Sequence, residues 1–261
     1  RQGLSLRVWM CLPRESLKAA ASLGIRSGFG DAYLRIGGVK AFADGALGAG
    51  TAWTLEPYEG TSNFGLPTLP LNEINKLVQD ANSNGLPVVV HAIGDAANRA
   101  VLDAIARFGN RSLRNRLEHV QLLAEADIPR LAHLEVAASM QPTQCPQDRY
   151  MADKLWGDRC QRAYAFKSLL RQGTVLAFGS DAPVEAPNVL VGLYSAVARK
   201  RWNEPNTEAW YPNEAISMWD ALRAFTYGGA YAAGEESYRG TLAPGMLADF
   251  TVLTRDILAS D

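Results

Sequence analysis

Four apolar runs in this chain each deliver a polar group at or near their end. GGVKAFADG carries Lys40, LPVVVHAIGD reaches His91, NRLEHVQ presents His119, and TVLAFGSDAP closes on Asp181. Three consecutive valines in 87–91 are the pattern of a strand buried on both faces. Between the runs lie helical stripes. Ile74, Leu77, Val78 and Ala81 follow the i, i+3, i+4, i+7 spacing, with Gly85 placed to end the helix. Ala97, Ala100, Val101, Ala104, Ile105 and Phe108 form a second stripe. Strand alternating with helix predicts an α/β fold on a parallel sheet. In a (β/α) barrel every strand points the same way, so the C-terminal ends converge on one mouth. Lys40, His91, His119 and Asp181 are expected to meet there.

A chain of 261 residues suits one barrel domain, since such barrels take about 250 residues. Strands are expected at 4–12, 36–42, 87–91, 116–120, 135–141 and 174–180. Further helices are expected with Pro129 in a first turn, through Ala163, Phe166, Leu169 and Leu170 to Gly173, around 188–200, and over 217–227. Ser217 and Asp220 form a capping box at the start of the last one. Residues 44–70 read as a long loop with Trp53, Tyr58 and Phe64, a candidate lid. Residues 142–158 read as a second loop, with Tyr150, Trp156 and Asp158 in or at its end, followed by Arg159. The closing TLAPGMLADFTVL is turn chemistry feeding one β-rich run, expected to join a second, β-type layer.

Six barrel strands leave two missing from the front. Strands 4–12 and 174–180 should then expose sheet edges, and such edges tend to pair with other chains. Self-association is therefore expected. The sequence begins at Arg1, and its first apolar run, LSLRVWMCLP, is too short for a signal core or a membrane span. It reads as a piece of a longer, cytoplasmic protein.

Charge narrows the partners. Lys and Arg number 26 against 27 Asp and Glu, a formal net charge of −1, so nothing favours nucleic acid or an anionic membrane. A small-molecule substrate is the expected partner. Cys11, Cys145 and Cys160 are an odd number without CxxC spacing, as for free thiols in a reducing compartment.

Two of only three histidines fall at the ends of consecutive strands. Either one alone would more often be a packing residue. Together they suit zinc, which takes neutral imidazoles and, in catalytic sites, three protein ligands with one position open to water. Asp181 can take the water's proton and return it to a leaving group; its alternative reading is a turn residue. Lys40 lies among Val39, Ala41 and Phe42, where an unpaired ammonium is costly. His133 falls in a helix and reads as structural. Asp44 and Asp95 follow the strand ends, either supporting the ligands or making turns.

VKAFADGALG, HAIGDAAN, LEHVQ, FGSDAPVE and GTLAPGMLADFTVL, in this order from about 36 to 253, resemble the amidohydrolase superfamily, in particular the branch called amidohydrolase family 3. The resemblance implies a TIM (β/α)8 barrel of the metal-dependent hydrolase type, with a small β-sandwich built from both termini. Residues 1–235 would hold barrel strands 3 to 8, and 236–261 the C-terminal contribution to the sandwich. It implies hydrolysis of carbon–nitrogen bonds at one or two divalent metals, most simply Zn2+. Lys40 would be the carboxylated (carbamylated) lysine bridging two metals. His91 and His119 would bind one metal, and Asp181 would bind the other and carry the proton.

The chain departs from the family in two places. The family's His-x-His pair at the end of barrel strand 1 occurs nowhere in this sequence, and Gln144 in QPTQCPQD stands where similar sequences often have histidine. Two other functions therefore stay open: a non-catalytic truncated barrel acting as a binding module, and a Schiff-base lyase using Lys40 as the amine.

Overall fold

The computed structural model describes residues 4–259. Six parallel strands form one sheet in sequential order: β1 (Val8–Pro13), β2 (Leu34–Phe42), β3 (Val88–Ala92), β4 (Arg116–His119), β5 (Ala137–Met140) and β6 (Leu176–Phe178). Each strand pairs with the next through a connection that returns the chain to the same end, the (β/α) repeat expected from the sequence.

Between the strands run helices α1 (Leu17–Ser22), α2 (Leu71–Ser83), α3 (Asp95–Phe108), α4 (Ile128–His133), α5 (Gln144–Trp156) and α6 (Phe166–Arg171). After β6 come α7 (Val189–Ala198), α8 (Met218–Arg223), a π-helical turn over Ala224–Gly228, and α9 (Gly229–Ala232). Asn188 caps α7 by accepting from the Leu190 and Val191 amides. Ser217 caps α8 by accepting from the Asp220 amide, which is the capping box read from the sequence.

Register divides the sheet into two faces. Val39, Ala41, Val88, Val90, Leu117, Ala138, Met140, Leu176 and Phe178 are buried in one core with the inner stripes of the helices, including Ile74, Val78, Val101 and Ile105. The opposite face is layered by strand pairing. Lys40 lies beside Val89, Val89 beside Arg116, and Arg116 beside Ala137. One step nearer the C-terminal ends, Phe42, His91, Glu118, Ser139 and Ala177 follow in the same way. This second face is the inside of the barrel curve, and it carries the polar side chains.

Several expectations change. Residues 142–158 are not a loop: they contain the 13-residue α5, whose mixed, largely polar sequence hides its period. The short α1 lies between β1 and β2, where no helix was expected. Segment 247–253 forms no strand among the described residues. A strand exists only with a ladder partner, and this segment instead makes single contacts, Leu247 N–H to Tyr238 O (2.8 Å) and Asp249 to Arg7 (2.5 Å).

The edge at β6 is also not bare. The π-helical turn packs so closely on it that a Cβ on Gly228 would fall 1.9 Å from Leu176 O. The β1 edge does remain open, with Val8 and Met10 exposed. All three cysteines are free thiols. No helix among the described residues is long and apolar enough to cross a membrane.

Candidate active site

The C-terminal ends of β2, β3 and β4 bring Lys40, His91 and His119 together. The His91 and His119 rings meet edge to face with centroids 4.5 Å apart. Phe42 joins Lys40 to this pair, its ring 4.8 Å from Lys40 Nζ and 5.1 Å from the His91 ring. Asp181, just beyond β6, stands on the exposed rim but is near enough to act electrostatically on both Lys40 and His119.

Each imidazole has one nitrogen committed to an oxygen. His91 Nε2 lies 2.8 Å from Gly45 O, a backbone carbonyl that can only accept, so Nε2 carries the proton and Nδ1 keeps the lone pair. His119 Nδ1 lies 2.9 Å from Gln141 Oε1, which leaves Nε2 as its lone-pair nitrogen. Burial pushes the His91 pKa down to about 4, and the neighbouring His119 adds to this. Burial also lowers His119, against the opposing pull of Asp181 and Glu118. Both rings are therefore neutral near pH 7, the form that binds metal.

Burial lowers the Lys40 ammonium too, with Glu118 opposing. A lysine with a lowered pKa is more often the free amine, the form that reacts with CO2 or a carbonyl. Glu118 is a functional neighbour that sequence reading missed. It faces the barrel interior opposite His91 and pairs with Arg116 at 2.8 Å. Gln141 was missed as well. Both follow from strand alternation once the register is known, and neither residue type announces chemistry by itself.

The loop over residues 44–70 is tied to the barrel by buried side chains. Asp44 is 1% exposed and accepts from the amides of Trp53 (2.9 Å), Ile93 (3.0 Å) and Gly94 (2.8 Å). Burial pushes its carboxyl up to about 7, while these three N–H groups favour the carboxylate. Asp95 accepts from the Leu55 amide at 2.9 Å. Buried Arg159, in the 3-10 turn just after α5, reaches to Glu56 O (2.9 Å) and Pro57 O (2.8 Å). Asp44 and Asp95 thus hold the loop, and Asp44 also lies 3.5 Å from His91 Nε2. His133 is exposed on α4, away from this group.

Among the described residues, no three side chains of the His, Cys, Asp or Glu types gather closely enough to hold a metal ion. The donor set nonetheless fits one: two neutral imidazoles in contact, each with one nitrogen fixed by an acceptor, beside a lysine whose amine is destabilised as a cation.

Comparison with known proteins agrees with this architecture. The chain is 38% identical over 232 residues to YtcJ of Bacillus subtilis, covering 88% of this chain and 44% of that protein. It is 40% identical over 231 residues to protein LONG AFTER FAR-RED 3 of Arabidopsis thaliana, covering 85% of this chain and 39% of that protein. An uncharacterized metal-dependent hydrolase from Pyrococcus furiosus superposes with a TM-score of 0.85 at 33% identity, over 98% of this chain and 52% of that one. The chain thus spans about half the length of these relatives or less. Residues 1–261 match the amidohydrolase family throughout, and the chain belongs to that family.

Proposed function

We propose that this chain forms the larger part of the active site of a metal-dependent hydrolase acting on non-peptide carbon–nitrogen bonds of a small molecule. The observation that carries the reading is the imidazole pair. His91 and His119 are neutral, in contact, and held through opposite nitrogens by Gly45 O and Gln141 Oε1. A bound zinc ion would supply acidified water and polarise the substrate carbonyl. His91 and His119 would hold that ion, and Lys40, as its carbamate, would supply a further anionic ligand. Asp181 accepts the water's proton and delivers it to the departing nitrogen, which then leaves as a neutral amine. Phe42 screens this side of the cleft and helps keep Lys40 from being fully hydrated.

Elemental analysis after dialysis tests the reading. About one tightly held divalent ion per chain is expected, since three protein ligands can make one zinc site. His91→Ala should remove it. A chain that takes up no zinc, with or without added bicarbonate, would end the proposal.

A further inference from the structure

We propose that Gln141 is a positioning residue that fixes the tautomer of His119 and thereby commits Nε2, not Nδ1, to ligand binding. The metal-binding part of this inference rests on the function proposed above; the tautomer part does not.

The argument starts from the backbone. Gln141 follows β5 directly, is 5% exposed, and places Oε1 2.9 Å from His119 Nδ1. His119 does not reach this position by ordinary strand alternation. Its backbone is left-handed (φ 74°), as is that of the next residue, Val120 (φ 48°). Val120 is β-branched and buried, so the conformation is costly, and the surrounding structure must hold it. The turn carries the imidazole to the His91 ring, and Gln141 then receives it.

A neutral imidazole has one N–H and one lone pair, and free in water it exchanges between the two tautomers. An amide oxygen at Nδ1 removes that freedom by accepting the proton there. His91 is fixed in the opposite sense by Gly45 O. Two adjacent rings are therefore held in complementary tautomers by unlike devices, one a backbone carbonyl that mutation cannot easily remove and one a side chain that it can. Hydrogen-bond partners of this kind on metal-binding histidines typically change metal affinity by about 10–100-fold when removed.

The test uses nitrogen-15 NMR of the histidine rings in metal-free protein, together with zinc affinity from competition with a chelator. Wild type should show His119 as the Nδ1–H tautomer. Gln141→Glu, which keeps an oxygen acceptor, should preserve that tautomer and hold zinc affinity within a few-fold. Gln141→Leu should release the ring to a tautomer mixture and weaken zinc about 10–100-fold. A general packing defect would lower the melting temperature of both variants without changing the tautomer in either. Finding the Nε2–H tautomer in wild type, or no tautomer change in Gln141→Leu, overturns the proposal; if the leucine variant does not fold, the wild-type and glutamate spectra decide it. Should the tautomer follow Gln141 while His119→Ala leaves zinc binding intact, the positioning role stands and the metal reading of this histidine falls.

Discussion

His119 is paired in register with Ala92, not with His91, yet its ring meets the His91 ring at 4.5 Å. A regular β4 would turn His119 toward the helices with Leu117. The left-handed backbone at His119 and Val120 reverses that direction. Non-glycine residues in this conformation cost about 1–3 kcal/mol each, which the packed strand ends must offset. The site is thus assembled by a break in β geometry at the last residue of a strand.

Asp181 offers a clean separation of folding from chemistry. It is exposed, and although its φ of 58° is left-handed, asparagine tolerates that region as well as aspartate does. Asp181→Asn should leave stability within about 0.5 kcal/mol. In a form of the protein that contains the whole active site, turnover should fall at least about 10²–10⁴-fold, the usual scale for a lost acid–base group. Near-normal hydrolysis by the variant would remove Asp181 from the mechanism.

In metal-free protein, pH should act on His91 and Asp44 in opposite senses. With His91 held down to about 4, the unfolded chain takes up a proton between pH 6.5 and 4 that the folded chain refuses, so stability falls as the solution is acidified through that window. Asp44, pushed up to about 7, keeps a proton that the unfolded chain releases, so its contribution is lost as pH rises from about 4 toward 7. Each effect is on the order of 3 kcal/mol at full extent. Urea midpoints should therefore drift upward with pH in Asp44→Asn and downward in His91→Asn, with wild type flatter than either. Three parallel curves would refute the assignment.

Gly228 predicts a reversal of the usual helix rule. Replacing a helical glycine by alanine ordinarily stabilises by about 1 kcal/mol. Here the new Cβ would meet Leu176 O at 1.9 Å, so Gly228→Ala should instead lose about 1–3 kcal/mol through overpacking. Equilibrium unfolding measures the sign directly.

The β1 edge predicts association. Val8 and Met10 are exposed along it, with Leu4 and Leu6 exposed just before it, and an open, apolar edge is a template for pairing. Sedimentation of this chain should show concentration-dependent dimers or larger species, and Met10→Lys should shift them toward monomer. A wild-type monomer at every concentration would show that the edge is tolerated bare.

The strand–helix alternation and the strand ends bearing Lys40, His91, His119 and Asp181 were legible because long apolar periods need no tertiary information. Helix α5 was not. Its sequence, QCPQDRYMADKLW, carries few apolar residues, and it is held by contacts beyond its own pattern, such as Trp210 Nε1 donating to Asp153 at 2.8 Å. Segment 247–253 failed in the other direction: its β propensity is local, whereas a strand requires a neighbour. Gln141 and Glu118 were invisible because their meaning comes only from register. Asp44 was visible only as a supporting or turn residue, because a turn aspartate looks the same in sequence whether it accepts one amide or three.

The loop over the mouth is anchored through Asp44, Asp95 and Arg159, and these grips fall on backbone amides and carbonyls. Its outward side chains, among them Leu55, Phe64 and Leu66, carry none of that burden and stand exposed. Backbone path and surface chemistry are therefore separable inheritances here. Selection, or an engineer, can rewrite what the loop shows to an incoming molecule while its course over the barrel stays where three buried side chains hold it.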